Sequence, residues 1–174
     1  MSTFKENLYA AMKPLFPDTL IWADMSSPAP ARPYSVLRIQ SVKSVNQDHH
    51  SDVDNSGIQT VTGDREFTLN IQRFQAYSSS SDVTEHLQAV VDKLRLRSHI
   101  DRLLSKGLAA FQTHAVQNIS GLLDTTQIEN RAMVDVMMRY RSTQLDDVGL
   151  IETVNMTGKD DAGNSPEYVI IATV

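Results

Sequence analysis

The stretch from Arg65 through Arg95, REFTLNIQRFQAYSSSSDVTEHLQAVVDKLR, constrains the fold more than any other, because it carries both structural periods side by side. Phe67, Leu69 and Ile71 alternate with Thr68, Asn70 and Gln72, the two-residue period of a strand with one buried face. Serines then interrupt the pattern. From Val83 the apolar residues fall at Val83, Leu87, Val90, Val91 and Leu94, the stripe of a helix lying on a core. Asp82-Val83-Thr84-Glu85 has capping-box spacing, and the helix is expected to run to about Arg97. A half-apolar strand followed by an amphipathic helix predicts an α+β fold in two layers, a mostly antiparallel sheet packed against two main helices.

The rest of the chain supplies the other elements. Thr3-Phe4-Lys5-Glu6 also has capping-box spacing, and Phe4, Leu8, Met12 and Leu15 form the stripe of an opening helix that Pro14 and Pro17 limit to about Lys13. Thr19 to Trp22 reads as a short strand, and Trp22 as a packing residue. Pro28, Pro30 and Pro33 make the next stretch an extended connector, after which Tyr34 to Val45 reads as a strand with Leu37 and Ile39 on one face. Asn46 to Gly57 reads as a polar loop. Gly63-Asp64 has the chemistry of a two-residue type II′ hairpin, which would join Ile58–Thr62 to Arg65–Phe74.

Ile100, Leu103 and Leu104, closed by Lys106-Gly107, predict a brief helix. A strand is expected from about Ala110 to Val116. Arg131 to Tyr140 is apolar on both faces, which predicts a central strand, and Leu150 to Met156 is expected to return antiparallel beside it. Thr157 to Pro166 reads as a linker. Glu167 to Val174 reads as a strand with almost no polar face, which either completes its own sheet or adds to a neighbouring subunit. The expected organisation is one α+β domain over 1–156 and a loop-and-strand extension over 157–174.

Composition narrows function by exclusion. The 174 residues carry 16 Lys+Arg against 21 Asp+Glu, a net charge of −5, which opposes general nucleic-acid binding. With no cysteine, disulfides, thiolate metal sites and thiol nucleophiles are excluded. The absence of cysteine fits assembly in a reducing cytoplasm, and the N-terminal residues show no signal-peptide or membrane-spanning apolar run, so a soluble protein not secreted by the Sec route, with no membrane partner, is expected.

No catalytic constellation is present. There is no Gly-x-Ser-x-Gly elbow and no phosphate-cradling glycine motif, and His86 is expected on the exposed side of its helix. Asp48, His49, His50, Asp52 and Asp54 invite a metal reading, with Asp52-x-Asp54-x-Ser56-Gly57 resembling half a calcium loop. The twelfth position is Gly63 rather than a bidentate glutamate, so a solvated acidic loop is the better reading, and neither metal nor cofactor is expected.

Several pieces in order resemble the phage neck or tail terminator proteins of contractile-tailed phages. They are Leu8-Tyr9 and Pro14, Ile21-Trp22-Ala23, Ala31-Arg32-Pro33-Tyr34 leading into Leu37-Arg38-Ile39, Gly63-Asp64-Arg65-Glu66, Thr68 to Phe74, and Ile128-Glu129-Asn130-Arg131-Ala132. The similarity spans about Phe4 to Met156, and the tail from Gly163 lies outside it.

The resemblance implies a structural, non-enzymatic virion protein, assembled in the host cytoplasm. It would form a hexameric ring at the head-proximal end of the tail, cap the tube, and contact tube protein, sheath protein and head-tail connector, with DNA passing its lumen unbound. On this basis Arg32, Arg65, Glu66, Glu129, Arg131, Tyr168 and Ile170 are assigned to subunit or partner contacts. Asp48, Asp52, Asp54 and Asp64 are assigned to an acidic loop facing the lumen, against the alternative of a solvated outer loop. Two other readings stay open: another tail subunit, associated with sheath or baseplate, and a small enzyme or ligand-binding domain using Asn46 to Gly57 as a lid over a deep polar pocket.

Overall fold

A computed structural model describes residues 2–26, 28–76, 82–124, 127–149, 153–157 and 167–171. The chain is α+β, with three helices packed against a mostly antiparallel eight-stranded sheet. It divides into two compact units, residues 1–46 with 64–141 and residues 47–63 with 142–174. The serine loop and the linker before the terminal strand fall largely outside the described residues.

The first unit follows the sequence periods closely. Helix α1 (Ser2–Met12) runs into a 3₁₀ turn (Lys13–Leu15) at Pro14. Its helical geometry already includes Ser2, so Thr3 is not the N-cap that its spacing suggests. Strand β1 (Thr19–Trp22) pairs in parallel with β2 (Tyr34–Ser44), after a cis Arg32–Pro33 peptide. β2 pairs antiparallel with a long strand β4 (Ile58–Gln75), setting Leu37 opposite Ile71 and Ile39 opposite Leu69.

Helix α2 (Val83–Leu94) is capped by Asp82, whose carboxylate accepts from the Thr84 N–H at 2.8 Å. It ends before Arg97 because Leu96 takes an extended conformation and caps a separate helix α3 (Arg97–Ser105), closed by Gly107 at φ 69°. All five residues of the α2 stripe are buried, against Leu8, Met12, Leu37, Leu69 and Ile71.

The central strand β8 (Gln127–Asp147) is flanked by β4 on one side. On the other lie β5 (Leu108–Thr113), β6 (Gln117–Asn118) and β7 (Gly121–Asp124) in succession. The expected Ala110–Val116 strand thus starts earlier and breaks before Gln117. Ala132, Val134, Val136 and Met138 are buried under the helices, while Met133 and Met137 are half-buried on the opposite face.

The second unit corrects two expectations. No turn forms at Gly63-Asp64: β4 runs straight through, and Gly63 lacks the positive φ that a type II′ turn demands. The chain instead reverses eight residues' worth of sequence earlier, within the stretch expected to be loop. Strand β3 (His49–His50) pairs with Thr62 and Val61 of β4. The turn is made by Asp54, whose Oδ1 accepts from the N–H groups of Ser56 (2.8 Å) and Ile58 (2.9 Å), and by Gly57 at φ 76°. The Asx geometry at Asp54 closes a turn locally, whereas glycine at 63 is a gap in a strand.

The second correction concerns β9 (Thr153–Thr157). It does not lie beside Arg131–Tyr140, because both edges of that segment are taken by β4 and by β5 to β6. It pairs antiparallel with β10 (Glu167–Ile171), from Glu167 opposite Thr157 to Ile171 opposite Thr153, in a two-stranded sheet. One edge of the terminal strand is therefore satisfied within the chain.

Candidate functional site

The helices cover one face of the sheet in the first unit, and the other face is organised by side chains that pair across β4 and β8. Because the side-chain period of a strand is two, the residues on this face are Asp64, Glu66, Thr68, Asn70, Gln72 and Phe74 on β4 and the odd-numbered Arg131 to Arg141 on β8. Asp64 sits 3.6 Å from Arg141. Glu66 is held by Arg139 at 2.7 Å and Lys43 at 3.0 Å. Asn70, fully buried, donates to Asp135 at 2.6 Å and accepts from Gln72 at 2.6 Å. Arg131 hydrogen-bonds Gln72 and places its guanidinium 4.7 Å from the Phe74 ring, which stacks on Tyr34 at 4.8 Å. The ladder rigidifies the face by cross-strand pairing.

Two carboxyls have depressed pKa values for visible reasons. Glu66 is lowered first by its hydrogen bond from Arg139 and then by that from Lys43. Asp82 is lowered by the Thr84 hydroxyl and backbone N–H, as an N-cap should be. Neither pairs with a second carboxyl. Desolvation, then Arg102 and Lys93, lower His99.

The residues assigned to contacts fall into several settings. Arg32 and Glu129, 97 residues apart, form an ion pair with each other. Glu66 and Arg131 belong to the ladder, and Arg65 reaches back to the Asp64 carbonyl at 3.3 Å. Tyr168 and Ile170 lie on β10, opposite Met156 and Val154. Among the acidic residues, Asp54 closes the turn and Asp64 faces Arg141, while Asp52 is exposed. His86 is exposed on α2. Among the described residues no three His, Asp or Glu side chains gather as metal ligands, and no helix is long and apolar enough to cross a membrane.

Sequence reasoning missed the apolar groups left uncovered. Leu122 of β7 and Ile128 of β8 face each other in register and are 75% and 45% exposed. Leu96, Ile100 and Leu104 make a second exposed stripe along α3, where only Leu103 is buried. A third apolar area lies between α1 and β1, where Tyr9, Leu20, Ile21, Trp22 and Met25 line an open groove and Lys5 stands 5.4 Å from the Trp22 ring.

This last area adjoins a sheet edge that the protein closes. Ala23 donates to Leu37 of β2, so Leu20 and Trp22 point their backbones away from β2. Their carbonyls accept from the Tyr9 hydroxyl (2.9 Å) and the Met25 N–H (3.4 Å). The edge is unsuited to strand addition. For Leu122 the sequence signal was available in the run Gly121-Leu122-Leu123-Asp124, whose hydrophobic pair has no helical or alternating continuation.

Residues 4–163 match a family model described as phage neck terminator protein. No curated protein matches the chain.

Proposed function

We propose a role that proceeds from one premise: this chain belongs to the phage neck terminator protein family, whose model covers nearly its whole length. Membership makes it a structural component of the virion at the tail and neck, acting through contact with other tail and neck proteins. The finer reading is a ring of copies, six by resemblance, on the head-proximal end of the finished tail. There it stops tube growth, presents a surface to the head-tail connector and leaves a lumen for DNA, and it performs no catalysis.

The observation that carries this reading is the β7–β8 hairpin. A chain that buries Leu8, Leu37, Leu69 and Val136 completely nevertheless leaves a cross-strand pair of large aliphatic residues, Leu122 and Ile128, 75% and 45% exposed. An apolar pair left uncovered in this way marks a protein contact. The test is to produce tails lacking this protein and image them. The reading expects tails of uncontrolled length or without heads, restored by adding the purified chain. Normal tails of normal length joined to heads would refute it.

A further inference from the structure

A cavity in the first unit holds buried polar atoms that the chain does not satisfy. Arg73 is 5% exposed on β4, and its Nη2 lies 2.7 Å from Asp18 Oδ2. That contact is an ion pair, while Arg73 Nε is buried without a hydrogen-bond partner among the described residues. Ser35, opposite Arg73 in register, has a buried Oγ in the same condition. The cavity, about 340 Å³, has apolar walls from Leu15, Pro17, Pro33 and Val90, with His86 and Lys93 of α2 also lining it. The Lys93 side chain makes no hydrogen bond or ion pair among the described residues, so Arg73 and Lys93 together outweigh Asp18. On a protein of net charge −5 this is a locally cationic recess with donors to spare.

The complementary feature is the β3–β4 hairpin loop of the second unit. Residues 47–63 contain Asp48, Asp52 and Asp54 and no Lys or Arg. Asp54 is committed to its turn, but Asp52 is exposed with no side-chain partner among the described residues, and next to it Val53 is 42% exposed. An acidic side chain beside an unburied aliphatic one matches a recess that combines cations with apolar walls.

We propose that the Asp52 carboxylate of one copy enters the mouth of the Arg73 cavity of a neighbouring copy, against Lys93 and in the field of Arg73, while Val53 lies on the Pro17–Pro33 lip. The contact joins two different surfaces, and such head-to-tail contacts are what close a ring. It deepens the ring reading and rests on it, and it gives this loop a place between subunits rather than in the lumen.

The test uses two exposed positions, so that folding is not at stake. Lys93→Glu and Asp52→Lys are each expected to weaken self-association about tenfold or more at low salt, and the double variant to recover most of the loss, since the swapped charges again attract. Carbodiimide treatment of mixed light- and heavy-isotope wild-type copies is expected to give an amide between Lys93 and Asp52 of different copies. Single variants that associate like wild type, or that are not rescued in the double, overturn the contact, the latter pointing to an acidic segment of another protein. A cross-link found only within one copy also overturns it. A wild-type chain that stays monomeric at all concentrations and on tail ends removes the ring reading itself, which is a different result.

Discussion

Replacing Leu122 by Ser and Ile128 by Thr separates assembly from folding. Leu122 lies largely and Ile128 nearly half in water, so the isolated chain should lose little, about 0.5 kcal/mol at Leu122 as for other surface substitutions and about 1 kcal/mol at Ile128. The contact should lose much more. Fully burying a large aliphatic side chain contributes about 1.5–3 kcal/mol, and with Leu122 75% and Ile128 45% exposed, covering both would contribute about 2–3.5 kcal/mol. At 1.4 kcal/mol per decade this is roughly a 30- to 300-fold loss of affinity for the surface that covers the hairpin. The assay has two arms: thermal unfolding of the purified double variant, expected to stay close to wild type, and its concentration-dependent occupancy of tail ends, expected to shift by that factor. Unchanged occupancy with unchanged melting would refute the argument that the patch is a contact. A large drop in melting temperature would show instead that the pair stabilises the chain's own fold.

Leu87→Ala, which opens a void where α2 meets the sheet at a fully buried site, should destabilise the chain by about 2–5 kcal/mol, read from the urea midpoint; a change within error would mean α2 is not packed as described. Gly57→Ala should loosen the β3–β4 hairpin, since Gly57 has φ 76° and an added Cβ would meet the Gly149 backbone at 2.9 Å. The left-handed conformation alone costs about 1–2 kcal/mol, and faster amide exchange at residues 49–62 is the readout, with unchanged protection counting against the turn. Because Arg139 and then Lys43 depress the Glu66 pKa, the resulting stabilisation is fully present above the ordinary glutamate range and is lost as pH falls through the depressed folded value. Melting temperature should therefore fall more steeply in acid for wild type than for Glu66→Gln, and parallel curves would contradict the assignment.

What the sequence determined by itself was everything written in short-range periodicity. The alternation at Phe67, Leu69 and Ile71, the α2 stripe from Val83 to Leu94 and the two apolar faces of Arg131–Tyr140 each specify an element and its buried side, because burial of one face dictates the repeat within a few residues. The ordered pieces from Leu8 to Ala132 also identified the family. Tertiary structure decided what depends on competition between distant segments. Gly63-Asp64 satisfies hairpin chemistry locally, yet β2 pairs with β4 as far as Arg65 and β3 with Thr62, so the strand is held straight and Asp54-Gly57 turns instead. Leu150–Met156 had no edge to join once β4 and β5 to β6 enclosed the middle of β8, and β9 took β10. The pairing of Arg32 with Glu129, the cation-lined cavity at Arg73 and the uncovered Leu122–Ile128 pair are of the same kind, since each joins residues or faces whose proximity no local period encodes. Whether a side chain is left in water depends on which neighbours arrive to cover it, and that is settled only when the whole sheet has formed.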